Sequence, residues 1–462
     1  MKLVLLSGGS GKRLWPLSND TRSKQFLKVL ESNNEEKQSM VQRVWSQLET
    51  VGLADSSIIA TSKMQRDMIH TQIGMNVPLI IEPERRDTFP AIALAASYLY
   101  SIEKVSEDEV VVVLPVDPYV DDSFFEKVKE LESVLLDSEA ELALVGVKPT
   151  YPSSKYGYIV PKDPVGGDSY FKVNHFTEKP SEEKAQTLIN MNALWNCGVF
   201  AFQLKYMINI LNAKKLPLDF EELSLQYKDL PKISFDFEVV EKANDIVSLP
   251  YEGYWKDLGT WNTLTEEMAT TQIGKGIMDE SSVNTHLVNE LDIPVTVIGA
   301  KDLVVAASPD GILVADKASS PKIKDLIKGF DQPPMYEERI WGWSRVLDYA
   351  KYDSGQEMVT KRICIHEGKN SSYHYHNLRD EVWTIVRGEG DLALEESISR
   401  VKAGDIIHLP AGKKHGIRAL SELEFIEVQT GIGISDEDFF RLYYKWEDVL
   451  VHFQQSKAKV IL

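Results

Sequence analysis

The chain opens with a short apolar run, Lys2–Leu6, that passes directly into Ser7-Gly8-Gly9-Ser10-Gly11-Lys12-Arg13. Such a run reads as a buried strand. Glycines set immediately after it let the backbone approach a phosphate with its amide groups pointing inward. Arg13 can grip phosphate oxygens through two parallel hydrogen bonds, and Lys24 offers a second, point-like cation. This is not a Walker loop, because the spacing and the closing Lys-Ser/Thr pair are absent. From the turn alone, a phosphate cradle and a plain strand-to-helix turn with surface charges both remain open.

The sequence after it narrows the choice of fold. Further strand-like runs at Ser57–Ala60, Leu79–Glu82, Val110–Leu114 and Leu142–Val147 alternate with helical patterns at Ser39–Leu48, Ala91–Tyr100 and Phe124–Leu136. Alternation of this kind predicts an α/β domain over residues 1–265, Rossmann-like, with a mostly parallel sheet covered on both faces. Ligands of such sheets bind beyond the carboxyl ends of the strands. After about Leu264 long helices give way to short apolar runs separated by turn residues, predicting a small β connector over 266–330. Pro333 and Pro334 mark a linker. Residues 331–462 read as an all-β domain, a compact barrel or jelly roll.

At 462 residues the chain is too long for one ordinary core. Its 51 Lys and Arg against 70 Asp and Glu give a net charge of −19. With no basic block, nucleic acid and anionic membranes are excluded as expected partners. Two distant cysteines, Cys197 and Cys364, exclude a disulfide framework and fit a reducing compartment. The N-terminal apolar run is too short for a signal peptide, and no stretch approaches the ~20 apolar residues of a membrane span. The expected location is the cytoplasm.

A second constellation lies near the C-terminus. Gly368 is followed by His374, His376, Glu381 and Gly388, and downstream Gly404 leads to Pro410, Gly412 and His415. Two histidines one residue apart on a strand point to the same face, so both can bind one ion. Glu381 and His415 from neighbouring strands would complete a three-histidine, one-carboxylate shell. That set suits Zn²⁺, Fe²⁺, Mn²⁺, Co²⁺ or Ni²⁺, with Zn²⁺ taken as the first expectation.

The N-terminal string LSGGSGKRLWPLS with Ser23–Leu27 (SKQFL) closely resembles the signature of sugar-1-phosphate nucleotidyltransferases, and within them the mannose-1-phosphate guanylyltransferases. The resemblance continues through Glu82-Pro83, Arg86-Asp87-Thr88, Pro90–Ala93, Leu114-Pro115 with Asp117, Tyr156–Ile159, Glu178-Lys179-Pro180, Trp195–Phe200 and Trp255–Trp261. It implies attack of a sugar 1-phosphate oxygen on the α-phosphorus of GTP, with pyrophosphate leaving. The attacking group is already an anion, so charge neutralisation and alignment suffice. By the resemblance, Leu6, Ser7, Gly8, Gly9, Gly11, Glu82, Arg86, Asp87 and Thr88 contact the nucleotide, together with Arg13 and Lys24, which steady its phosphates. Asp117 and Asp257 hold Mg²⁺. Glu178 and Asn196 take sugar hydroxyls, Lys179 takes the sugar phosphate, and Gly157 leaves room for the ring. Adjacent strand residues face opposite ways, so Glu178 and Lys179 reach one ligand only if the backbone turns at Pro180. Lys12, Ser23 and Pro118 stand where the family usually has Thr, Pro and His, which bears on the choice of base and sugar.

The histidine spacing matches the cupin pattern. Arg339–Trp343, Val346–Asp348 and Ile426–Gly431 resemble the cupin domain of type II phosphomannose isomerases, which is fused behind the guanylyltransferase in bifunctional members. This implies interconversion of mannose 6-phosphate and fructose 6-phosphate, with a divalent metal polarising the substrate oxygens while a base moves the proton. Arg441 takes the place of an Arg assigned to phosphate or enediolate charge. Tyr373–Arg379 (YHYHNLR) and Gly431–Arg441 depart from the family wording. Another sugar 1-phosphate, or a cupin that serves as a metal- or sugar-sensing or structural module, is the alternative. A homodimer is expected by analogy.

Overall fold

A computed structural model describes residues 1–9, 12–32, 34–163, 169–330, 333–435 and 438–460. The chain divides into two compact units that are not contiguous in sequence. One holds Met1–Leu14 and Ser23–Thr271; the other holds Trp15–Arg22 and Gln272–Leu462.

The first unit is built on a nine-stranded sheet. Its strands are β1 (Lys2–Ser7), β2 (Ser57–Ser62), β3 (Leu79–Glu82), β4 (Val110–Pro115), β5 (Leu142–Val147), β6 (Tyr158–Pro161), β7 (Phe171–Thr177), β8 (Leu194–Gln203) and β9 (Ile246–Tyr251). They lie in the order β3-β2-β1-β4-β8-β5-β9-β7-β6. Pairing is parallel from β3 through β2 and β1 to β4, and again between β5 and β9. β8 runs antiparallel between β4 and β5, and β7 is antiparallel to both β9 and β6. The sheet is therefore mixed where strand–helix alternation suggested a mostly parallel one. β7 follows β6 as an antiparallel neighbour, whereas β8 comes after the helix Glu182–Asn190 and is inserted antiparallel between β4 and β5, a reversal that strand–helix alternation does not reveal.

Period-two alternation along the central strands divides the core in two. Leu3, Leu5, Val112 and Leu114 pack with Val41, Val44, Phe124, Val128 and Leu131, whereas Val4, Val111 and Val113 pack with Phe89, Ile92 and Leu99. These partners come from α1 (Met40–Thr50) and α3 (Ser123–Ser138) on one face and α2 (Thr88–Ser101) on the other. α1 starts where Ser39 accepts from Gln42 N and the Gln42 side chain reaches back to Ser39 N, a reciprocal cap that satisfies two orphan amides. Because the β1 and β4 termini fall side by side, Ser7 and Pro115 deliver the glycine loop and Asp117 to the same edge of the sheet.

In the second unit, Gln272–Gly274, His286–Asn289 and Leu303–Ser308 stack in parallel, closed by antiparallel Gly311–Asp316, over a small core of Leu287, Val297 and Val305. Beyond it, two antiparallel sheets form the cupin sandwich. Ile363, Ile365, Trp383, Ile385 and Phe425 of one sheet interdigitate with Leu392, Val401 and Ile417 of the other. The helix Trp446–Val460 closes one end, burying Trp446, Val449 and Phe453 against Tyr373 and Ala393. No helix among the described residues is long and apolar enough to cross a membrane.

Candidate active site and metal centre

The first site forms where β1 and β4 end. Of the glycine loop, Gly11 lies outside the described residues, as does Ser10. The rest is pinned from below by polar side chains. Ser23 Oγ donates to Gly9 O at 2.6 Å, Gln65 Nε2 donates to Gly9 O at 3.1 Å, and Gln25 Nε2 lies 3.2 Å from Ser7 Oγ. Ser23, which stands in place of the family's Pro, is thus a strut of the loop. A methyl group on Gly8 would sit 3.0 Å from Glu82 Oε1. Leu6 closes the strand beneath, half-buried.

Lys24 is the centre of charge. Its Nζ lies 2.9 Å from Asp117 Oδ2 and 2.9 Å from Asp257 Oδ1. The two acids meet because Trp255–Asp257 pairs antiparallel with Pro118–Val120, placing Asp257 opposite Pro118. Burial opposes the charge on Lys24, yet the two carboxylates outweigh it and raise its pKa. Burial also works to raise Asp257, but Lys24, with Arg13 and Lys155 behind it, holds that carboxyl below its ordinary value. Arg13 itself is exposed, on the short turn Lys12–Leu14. Two carboxylates converging on one cation suit a hard divalent ion such as Mg²⁺.

A second group lies around Gly157. A Cβ there would come within 2.5 Å of both Glu178 Oε2 and Phe176 Cζ, so only glycine fits. The chain does turn after Glu178, one residue earlier than Pro180: Lys179 has φ of 44°, and its Nζ returns to 2.6 Å from Glu178 Oε1. The two neighbours therefore face one space, against the simple alternation of a strand. Glu178 Oε2 is buried without a hydrogen-bond partner, leaving it available to a ligand hydroxyl. Asn196 Nδ2 donates to Asp236 Oδ1 at 2.7 Å, and its Oδ1 accepts from Gly198 N at 3.0 Å. Burial, then the nearby Glu178 charge, pushes the Asp236 carboxyl up to about 7. Asp236 carried no sequence signal, since it lies 40 residues beyond Asn196. Tyr156, Trp195 and Trp255 form an aromatic wall, with Tyr156 4.8 Å from Trp195 and 5.6 Å from Trp255 between ring centroids.

The remaining nucleotide candidates are more heavily engaged by protein. Glu82 Oε2 accepts from Tyr227 Oη at 2.7 Å, and burial raises its pKa. Arg86 donates to Leu230 O at 2.6 Å and pairs with Glu84 at 2.8 Å. Thr88 Oγ1 accepts from Phe235 N at 2.8 Å. Asp87 accepts from Thr88 N and holds φ 73°, ψ −178°, a region that costs a non-glycine residue about 1–3 kcal/mol. Its exposed carboxylate sits at the head of α2.

In the cupin unit, His374, His376 and His415 bring ligand nitrogens within 4.8 Å of one another. Tyr373–Tyr375 pairs with His415–Ala419 so that His374 lies opposite His415. Each Nδ1 faces a backbone carbonyl: Ser372 O at 2.7 Å, Asp438 O at 2.5 Å and Lys413 O at 2.9 Å. Carbonyls only accept, so for His374 and His415 these contacts assign the proton to Nδ1 and free Nε2 as a ligand, whereas the His376 ring also faces the donor Arg379 Nη2, 2.8 Å from Nδ1 and 3.2 Å from Nε2. His415 Nε2 is buried with no hydrogen-bond partner. An orphaned imidazole nitrogen beside two others fits a transition-metal ion. Glu381 approaches His376 Nε2 at 3.3 Å and His415 Nε2 at 3.5 Å, while accepting from Trp383 Nε1 and Gln429 Nε2 at 3.1 Å each. Burial opposes its charge, but the three imidazoles hold the Glu381 carboxyl well below the usual range. Burial lowers His374 far below its ordinary value, and lowers His376 to about 4, with Arg379 contributing. Arg379, part of the departing string Tyr373–Arg379, is buried with Nη2 2.8 Å from His376 Nδ1. Arg441 lies opposite His374 on Phe440–Tyr443, its guanidinium 4.4 Å over Phe439, which stacks on the His374 ring at 4.1 Å. Asp436 and Glu437, in the acidic stretch before it, lie outside the described residues.

Residues 2–273 match the nucleotidyl transferase family and residues 361–429 match the cupin domain. The chain belongs to the nucleotidyl transferase family, as a nucleotidyltransferase with a C-terminal cupin. It is 28% identical over 96% of its length to mannose-1-phosphate guanylyltransferase 2 of Escherichia coli O157:H7, covering 98% of that protein. It is also 28% identical to the alginate biosynthesis protein AlgA of Pseudomonas putida, over 96% of this chain and 95% of that one. A crystal structure described as a mannose-1-phosphate geranyltransferase from Thermus thermophilus aligns with 71% of this chain and 98% of its own, at 28% identity and a TM-score of 0.59.

Proposed function

We propose that the chain transfers a guanylyl group from GTP to mannose 1-phosphate, releasing pyrophosphate and forming GDP-mannose, and that the cupin interconverts mannose 6-phosphate and fructose 6-phosphate. The observation that carries the first part is the Lys24–Asp117–Asp257 cluster at the strand ends. End-to-end similarity to guanylyltransferases supports the choice of substrates.

In this reading the sugar phosphate oxygen attacks the α-phosphorus in line, and the pyrophosphate oxygen departs on the opposite side. Arg13 and the loop amides of Gly8 and Gly9 hold the leaving group, with Gly11 continuing the loop. Leu6, Ser7, Glu82, Arg86, Asp87 and Thr88 border the nucleotide. Asp117 and Asp257 would hold Mg²⁺, which supplies charge neutralisation at the phosphates, and Lys24 then turns its ammonium to phosphate oxygen. Glu178 and Asn196 orient sugar hydroxyls, Lys179 binds the sugar phosphate, and Asp236 braces Asn196. No side chain needs to remove a proton.

For the isomerase, His374, His376, His415 and Glu381 would hold the metal, with Zn²⁺ the first choice, and this metal supplies polarisation of the substrate oxygens. Arg441 binds phosphate. Domain limits at 1–265, 266–330 and 331–462, a cytoplasmic location and a homodimer belong to the same reading.

Pyrophosphate release with Mg²⁺, across four nucleoside triphosphates and a panel of sugar 1-phosphates, tests the first part. A maximum at GTP with mannose 1-phosphate is expected; no release with any pair overturns it. For the second, metal-loaded protein should equilibrate the two hexose 6-phosphates, and the His376→Ala variant should not. Isomerisation surviving in metal-free His376→Ala protein would overturn the metal mechanism.

A further inference from the structure

Within the second unit a cleft of about 630 Å³ lies on the outer face of the six-stranded cupin sheet, walled by the β connector. It is separate from the histidine centre. Ile363 and Ile365 point into the sandwich core, so Arg362, the residue before Ile363 on the same strand, points outward and is exposed. Three strands set Tyr336, Arg345 and Arg362 in one cross-strand row, with Trp343 two residues from Arg345 on the same face.

Two arginines directly opposite on neighbouring strands repel each other, and the protein only partly offsets this. Arg362 pairs with Glu424 at 2.5 Å. Among the described residues Arg345 pairs with the well-exposed Asp292 alone, at 3.4 Å. Arg22, by contrast, is locked to Glu290 through two bonds of 2.8 and 2.9 Å and forms a fixed wall. Tyr336 and Trp343 stack with centroids 6.4 Å apart and planes at 28°, leaving an aromatic surface beside the arginine pair.

A ligand that uses all of this needs a flat ring, an anionic tail and N–H donors for a carboxylate. Inorganic phosphate lacks the ring, and a sugar phosphate lacks an aromatic face. A nucleotide has both, and guanine presents two adjacent N–H donors on its pairing edge, matching a carboxylate, where adenine presents one donor beside an acceptor. The volume falls within the usual ~300–1,000 Å³ of small-ligand sites. We propose that this cleft is a second nucleotide site, taking a guanine nucleotide whose base stacks on Trp343, whose pairing edge meets Asp292, and whose phosphates bridge Arg345 and Arg362.

The test counts GDP bound to the full-length protein by equilibrium dialysis, with ADP and pyrophosphate as competitors. Two GDP per chain are expected. One should be lost in Arg345→Ala and in Trp343→Ala and kept in Trp343→Phe, which preserves a stacking ring; the other should be lost in Arg13→Ala. At the Arg345-dependent site ADP should compete at least tenfold more weakly than GDP. A single GDP lost in Arg345→Ala but kept in Arg13→Ala would uphold this site and sink the guanylyltransferase reading. A single GDP lost in Arg13→Ala and kept in Arg345→Ala would overturn it. Equal competition by ADP or pyrophosphate at the Arg345-dependent site would overturn it as well.

Discussion

Lys24 Nζ stands 2.9 Å from Asp257 Oδ1, and the same nitrogen lies at that distance from Asp117. One ammonium therefore bridges two carboxylates and holds that of Asp257 below its ordinary pKa. Lys24→Met should lower nucleotidyl transfer by about 10²–10³-fold, the usual loss for one preorganised charge donor. Removing the cation also lets the Asp257 pKa rise, so the acid limb of the rate profile should shift to higher pH. Pyrophosphate release measured across pH checks both effects.

Gly157 faces Glu178 so closely that any side chain must displace it. Gly157→Ala should raise KM for the sugar phosphate about tenfold or more while leaving KM for the nucleotide nearly unchanged. Overpacking at such a contact costs about 1–3 kcal/mol of stability. Steady-state kinetics with each substrate varied in turn, beside a thermal melt, separates the two effects.

Asp236 should make the first unit pH-sensitive. Its folded-state pKa is raised from 3.8 to about 7, first by burial and then by Glu178. A raised pKa means that the folded form prefers the proton. The contribution is thus complete below pH 4 and is lost as pH climbs through 7. Calorimetric Tm values for the wild type and Asp236→Asn should differ in slope over this window, with the Asn variant flatter. Equal slopes would count against a buried, shifted carboxyl.

Metal retention in the cupin should resist mild acid. Burial already keeps His374 neutral far below its ordinary pKa and His376 neutral down to about 4, so protons compete poorly for these two ligands near pH 5.5. Elemental analysis of samples dialysed between pH 7 and 4 should show metal kept through 5.5 and lost toward 4.

His376→Ala should empty the cupin and leave nucleotidyl transfer within about twofold of wild type. Metal content and pyrophosphate release on one preparation decide this. A large fall in transfer would favour a sensing role for the cupin over an independent catalytic one.

What the chain disclosed in advance was local in sequence. The strand Lys2–Ser7, its glycine turn and the His374–His376 pair each lie within a few residues, so periodicity and spacing expose them. Contacts between distant segments were legible only where a motif or the family resemblance joined them, as for Asp117 with Asp257 and His415 with His374, and the others stayed hidden. Asp236 meets Asn196 only because two elements converge, and the reversal of β8 leaves no trace in a buried, apolar strand. Glu178 and Lys179 show the limit of strand alternation as a guide, since one residue at positive φ redirected a side chain. Arg379 was visible only as part of a departure from a family string, with nothing to say that it would press on a histidine.

The segment Trp15–Arg22, which follows the turn carrying Arg13 and precedes Lys24, is built into the second compact unit. There Ser308 Oγ donates to Pro16 O at 2.5 Å, Asn19 Nδ2 donates to Asp310 Oδ2 at 3.0 Å, and Arg22 grips Glu290. The polypeptide thus crosses from one unit to the other and back before it settles. Scissors applied once, after Thr271, would not yield a self-sufficient front half: eight residues threaded between Arg13 and Lys24 would be left without the segments they rest on. A graft exchanging this cupin half for another would have to carry those eight residues along.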